Sequence, residues 1–248
     1  MKKQPIGAFT IAYGDPVNLM YAGMMANSLR YFHPEIPLIV YTDDDVNEIK
    51  EERKTFRMYA KFGARMAKSY ETVIQIDNDS IITGTLNHFL KDNTASLFGV
   101  LNNNDIDPKL TIHDIPPQVY LNAGFIMVRG ERFWNWWDEL NHRMYFDNYR
   151  FGEQDTYNMI FHYGDIKGKV LDYDFSPCLH GLIHKGKWDK FEMRGKDLVL
   201  PKEFAGSKED KIIKIIHWAG GQIPKMNFHT YFKPDVVTRL KELTSDRK

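Results

Sequence analysis

The chain has 248 residues, 43% hydrophobic and 27% charged, with 33 Lys and Arg against 33 Asp and Glu and a formal net charge of zero; this fits one soluble α/β domain, since such domains reach about 250 residues, and argues against a general binder of nucleic acid or anionic membrane, which shows a basic excess. A small anionic ligand held by a few placed groups stays open. The single cysteine, Cys178, excludes an intrachain disulfide framework and a multi-cysteine zinc site, and it fits a reducing, cytoplasmic setting.

Ile6–Ala12 reads as a first strand, broken by Gly14-Asp15-Pro16 and too short for a signal peptide. No run of about 18 apolar residues exists, so no membrane span is expected. Leu19–Tyr31 reads as a helix and Pro37–Tyr41 as a second strand ending at Asp43-Asp44-Asp45, a triplet that suits the first turn of a helix. From Glu51 to Tyr70, aromatic and apolar residues recur at three- and four-residue steps, the face of a helix. Val73–Ile76 is a short strand, Thr94–Leu101 another, and Asn102–Pro117 a polar loop. Asn122-Ala123-Gly124 precedes a strand at Phe125–Val128. Phe133, Trp137, Leu140 and Met144 fit a helix whose stripe faces the core, which leaves Trp134 or Trp136 to reach a ligand. Glu153–Tyr163 is a further helix, Gly164–Gly195 loses periodicity, Ile212–Ile216 is a strand, and a helix over 234–244 closes the chain. Strands alternating with helices predict parallel pairing with crossover helices, and ligands in such sheets sit beyond the carboxyl ends of the strands.

Asp77 and Asp79 flank Asn78 at such a strand end. Residues two apart in an extended chain point the same way, and two carboxylates so placed repel unless a cation or donors intervene. A divalent metal bridging phosphate is one reason for the pair; a polar turn is the other. His217 follows a second apolar run, Ile212–Ile216, and so lies at another predicted strand end. Two carboxylates with an imidazole form an O/O/N set that suits Mn²⁺, with Mg²⁺ the second choice.

These residues carry a resemblance. Ile76-Asp77-Asn78-Asp79 resembles the Asp-x-Asp motif of GT-A nucleotide-sugar glycosyltransferases, and the chain is similar to the retaining glycosyltransferases of family 8, which include glycogenin and bacterial lipopolysaccharide galactosyltransferases. Ser28-Leu29-Arg30 resembles the family's helix-end Ser-Leu-Arg. Lys61, sixteen residues before Asp77, and Tyr70, seven before it, keep its spacing. Leu121-Asn122-Ala123-Gly124, Glu153-Gln154-Asp155 and His217-Trp218-Ala219-Gly220 resemble its Phe-Asn-Ala-Gly, Asp-Gln-Asp and His-x-x-Gly elements, in that order.

The resemblance implies a GT-A fold, a mixed, mostly parallel central sheet flanked by helices. It implies one domain over 1–248, with the donor side at about 1–130, the acceptor side at about 131–230 and a closing helix at 234–244. Asp77, Asp79 and His217 would bind Mn²⁺, or Mg²⁺, against the donor diphosphate, with Asp77 also near the ribose. Ala12, Tyr13, Lys61, Asn78, Asn122, Ala123, Gly124 and Gly220 would contact the UDP-sugar, and Glu153, Gln154 and Asp155 would surround the transferred sugar. Two departures stand out: Glu153 replaces an aspartate, and position 223, where the family places a lysine, is Ile, so that Lys225 is the nearest candidate for the diphosphate. The implied activity moves a hexose, glucose or galactose, to a hydroxyl of a glycan, lipid-linked or protein acceptor. An inverting transferase, a sugar nucleotidyltransferase and an inactive binding module are the alternatives. No nucleic-acid partner is expected, and the chain is a monomer or a homodimer.

Overall fold

In the computed structural model, residues 2–49, 57–102, 115–143, 152–171, 188–205, 208–218 and 227–246 are described. The elements run β1 (Gln4–Ile11), α1 (Val17–Phe32), β2 (Leu38–Tyr41), α2 (Asp43–Asn47), α3 (Met58–Ala67), β3 (Tyr70–Ile76), β4 (Ser80–Ile82), α4 (Asn87–Leu90), β5 (Leu97–Leu101), β6 (Leu121–Arg129), α5 (Arg132–Arg143), α6 (Glu153–Tyr163), β7 (Gly168–Leu171), β8 (Glu192–Arg194), β9 (Asp197–Leu200), α7 (Lys202–Ala205), β10 (Lys211–Ile212), β11 (Ile215–His217), α8 (Phe228–Tyr231) and α9 (Pro234–Thr244).

Six strands form a central sheet in the order β2-β1-β3-β6-β5-β7. The pairs β1–β2, β1–β3 and β5–β7 are parallel, and β6 runs antiparallel to both its neighbours. The sheet is thus mixed and mostly parallel, flanked by helices. Its side chains alternate between two cores, as the period of an extended chain requires. Phe9, Val73, Ile126 and Val128 pack toward α3, α5 and α6; Ala8, Ile74, Phe125 and Met127 pack toward α1 and α4. On the first side α3 and α5 approach closely at Gly63, where a Cβ would lie 2.0 Å from the Trp134 ring. Trp134 is fully buried and meets Phe9 edge-on at 5.9 Å, so it is a core residue and does not reach a ligand. A third core, around Trp218, joins β9 and β11 to α8 and α9. No helix among the described residues is long and apolar enough to cross a membrane.

Several elements differ from the sequence-based expectation. The α3 helix ends at Ala67, and Tyr70 opens β3, because its backbone pairs with Gln4 of β1. Strand β5 begins only at Leu97, since Thr94 is held in a turn by Asp92, whose Oδ1 accepts from its N–H at 2.8 Å. Ile212–Ile216 is two strands: β10 pairs with β9, and after Ile213 and Lys214 the chain crosses to pair as β11 with β4. Asn122-Ala123-Gly124 lies inside β6, where a shift of register opposite Gly99 and Val100 skips Ala123, Gly124 and Phe125. Gly164–Gly195, where the sequence loses periodicity, contributes β7 and β8. The aspartate triplet, by contrast, forms the first turn of a helix as expected: it opens α2, capped reciprocally by Thr42 and Asp45, with Thr42 N–H donating to Asp45 at 2.8 Å.

Candidate functional site

The chain between β3 and β4 is a tight turn, closed by Ser80 N–H donating to Asp77 O at 3.1 Å. Asp77 and Asp79 therefore converge through a turn and not through an extended strand. Strand β11 brings in the third group. Ile216 pairs with Ile81 and His217 with Ser80, and Trp218 N–H donates to Asp79 O at 3.0 Å. The imidazole is fixed by this ladder beside both carboxylates: His217 Nε2 lies 3.3 Å from Asp77 Oδ2 and 3.2 Å from Asp79 Oδ1.

Asp77, Asp79 and His217 each offer one ligand atom, all within 4.8 Å of one another. Adjacent ligands of an octahedral ion bound at about 2.1 Å stand about 3 Å apart, close to the two distances His217 Nε2 keeps from the carboxylates. Gly124 provides the cradle: a Cβ there would fall 2.2 Å from His217 Cε1 and 2.7 Å from Asn122 Oδ1. Only glycine leaves the ring where the carboxylates need it. The Asn122 amide oxygen accepts from Gly124 N–H at 2.6 Å, which secures the bulge against the ring.

Asp77 is held from behind. Its Oδ1 accepts from Tyr59 Oη at 2.9 Å and from Gln75 Nε2 at 2.8 Å. Burial and then the Asp77 charge raise the Tyr59 hydroxyl well above its ordinary range, so it remains a proton donor. Tyr59 and Gln75 were not singled out from the sequence, although a glutamine between Ile74 and Ile76 is a polar residue in an otherwise apolar strand.

The other expected residues fall into three groups. Near the cluster, Gln154 Oε1 accepts from Ala123 N–H at 3.0 Å, tying the start of α6 to the β6 bulge. Glu153 is buried, and burial and then the charge of Asp77 hold its carboxyl well above the usual range. Asp155 is fully buried and accepts a hydrogen bond from the Tyr120 hydroxyl. Further residues act on the scaffold. Asn78 Nδ2 donates to Ile11 O at 2.9 Å, Ala12 N–H donates to Tyr41 O at 2.8 Å, and Tyr13 O accepts from Asn18 Nδ2 at 2.7 Å. Lys61 is half-buried on α3, its ammonium pushed down by burial and by Arg57 against the pull of Asp138. Gly220 and Lys225 lie outside the described residues.

The sequence matches no family model and no curated protein. Solved structures do resemble the chain. The galactosyltransferase LgtC, in complex with donor and acceptor sugar analogs, superimposes with a TM-score of 0.57 at 12% identity, over 98% of this chain and 97% of that one. A glycosyltransferase involved in glycosylating the major capsid of PBCV-1 gives 0.55 at 12%, over 87% and 93%. The glycosyltransferase GlyE of Streptococcus pneumoniae TIGR4 gives 0.59 at 14%, over 99% of this chain and 61% of that one. At such identities the shared property is the fold, and it is the GT-A fold.

Proposed function

We propose that this chain is a glycosyltransferase that moves a hexose from a UDP-sugar to an acceptor hydroxyl, with retention and with Mn²⁺ as cofactor. The observation that carries this reading is the Asp77-Asp79-His217 cluster, assembled by the β3–β4 turn and β11 in a GT-A fold. Asp77 and Asp79 supply hard oxygen ligands and His217 a nitrogen, a mixed set that favours Mn²⁺ over Mg²⁺. When bound, the ion neutralises charge on the departing diphosphate.

Around it, the chain's own residues bind and orient. Ala12, Tyr13 and Lys61 line the nucleotide side in this reading, and Asn122, Ala123 and Gly124 shape the sugar pocket. Gln154 has its carbonyl oxygen engaged by Ala123 N–H, so its amide NH₂ is the group left to meet the sugar. An amide is a poor nucleophile, and retention then follows a front-face path. The bond from the anomeric carbon to UDP breaks, the acceptor oxygen bonds on the same face, and its proton passes to the leaving diphosphate. Glu153 and Asp155 serve this site from within the core, by holding the first turn of α6.

The burial of both acids favours one second reading, a nucleotide-sugar-binding module without turnover. A panel of UDP-sugars with Mn²⁺, read by UDP release and by the anomeric configuration of the product, separates the two. Turnover with retention supports the main reading. Absence of UDP release across the panel, with or without glycan acceptors, contradicts it.

A further inference from the structure

Asp77 and Asp79 are both expected to ligate the same ion, yet their surroundings differ. The Asp77 carboxylate reaches His217 through Oδ2 and carries two hydrogen bonds on Oδ1, from Tyr59 on α3 and Gln75 on β3. We propose that Tyr59 and Gln75 are positioning residues that clamp Oδ1 of Asp77 and turn its Oδ2 alone toward the divalent cation, making Asp77 a monodentate ligand of fixed orientation. The inference deepens the proposed function and rests on Asp77, Asp79 and His217 being the metal site.

Three observations carry it. The two donors come from two different elements, a helix and Asp77's own strand, and meet on one oxygen, so together they stop rotation of the carboxylate where one bond would leave it free. Gln75 is fully buried in the sheet, and its Oε1 has no hydrogen-bond partner among the described residues. Burying an amide with an unsatisfied oxygen is unfavourable, and the strand's packing offers no return for it; the bond from Nε2 to Asp77 supplies one. Finally, Oδ1 with two donors is a weaker candidate for the ion than Oδ2, which stands at the cis-ligand spacing from His217. Outer partners of this kind orient a ligand and raise metal affinity about 10–100-fold.

The test is a Mn²⁺ titration of the whole chain followed by electron paramagnetic resonance, with no sugar nucleotide present, and thermal unfolding of each variant without metal. Wild type, Tyr59→Phe, Gln75→Met, Asp79→Ala and Tyr157→Phe are compared. Tyr157 carries another buried hydroxyl, one without a hydrogen-bond partner among the described residues, and controls for loss of a buried phenol oxygen. The expected result is about 10–100-fold weaker Mn²⁺ binding in Tyr59→Phe and in Gln75→Met, loss of binding in Asp79→Ala, and wild-type affinity in Tyr157→Phe. Wild-type affinity in both clamp variants, with Asp79→Ala still failing to bind, overturns the clamp and leaves the metal site standing. Wild-type affinity in Asp79→Ala, or no binding by wild type, overturns the metal site and the clamp with it. If one clamp variant unfolds, the affinity of the other decides.

Discussion

Gly124 and His217 occupy the same space but for one hydrogen: a Cβ on Gly124 would lie 2.2 Å from Cε1 and 2.4 Å from Nδ1 of the imidazole. The ring is almost fully buried and fixed by the β4–β11 ladder, so it has little room to give. Gly124→Ala is expected to weaken Mn²⁺ binding at least tenfold by moving His217 off the carboxylates, and to cost about 1–3 kcal/mol of stability from overpacking. Calorimetric metal titration with urea unfolding checks both; unchanged affinity would show that the ring is not a ligand.

Glu153 gives a pH signature. Its carboxyl is held above the ordinary value of 4.5, first by burial and then by the charge of Asp77. The folded chain therefore binds this proton more tightly than the unfolded chain. The stability it contributes is fully present below 4.5 and is lost as pH rises through the folded value. Glu153→Gln, which is neutral at every pH, is expected to gain stability relative to wild type as pH rises above 4.5. Urea midpoints measured from that pH upward in chelator check this, and parallel curves for the two proteins would show that the Glu153 carboxyl is not raised by burial.

Asn158 locks α6 to β6. Its Oδ1 accepts from Leu121 N–H at 2.7 Å, and its Nδ2 donates to Leu121 O at 2.9 Å and Gln154 O at 2.8 Å. Asn158→Ala leaves the Leu121 backbone groups unpaired in a buried strand, at about 1–3 kcal/mol for each. It also loosens Gln154 against Ala123. The expected outcome is lower stability in denaturant together with reduced turnover at saturating donor.

Trp134 separates packing from recognition. It is fully buried between Phe9, Phe133 and Trp137, so Trp134→Ala is expected to cost about 3–5 kcal/mol. Its effect on activity should follow the fraction folded, with no change in preference among acceptors. A shift in acceptor preference at full folding would place the indole in the acceptor site.

Much of this arrangement is legible along the chain, where one local signal decides. The helix Glu153–Tyr163 and the closing helix at 234–244 have clear periodicity and stops and stand where their patterns place them, and the strand read at Val73–Ile76 ends as expected but begins at Tyr70. What the pattern hides is pairing. Nothing in Leu121–Arg129 reports that it runs against its neighbours or that its register shifts beside Gly124. Nothing in Ile212–Ile216 reports that it changes partners at Ile213. The β8–β9 hairpin is too short for a periodic signal, and it closes through a two-residue turn in which Gly195 takes φ 62°, with Arg194 paired to Asp197. At the site, Asp77, Asp79 and His217 could be singled out because charged and imidazole groups at strand ends are conspicuous. Tyr59 lay concealed on an apolar stripe, because a phenol serves the core with its ring and Asp77 with its hydroxyl.

The most direct test of the central claim is the binding of UDP measured by calorimetry in Mn²⁺ and again in excess chelator, for wild type and Asp79→Ala. Tight binding by wild type only when Mn²⁺ is present, and none by Asp79→Ala in either condition, is the expected result. UDP binding of equal strength with and without the metal, or unaffected by Asp79→Ala, would contradict it.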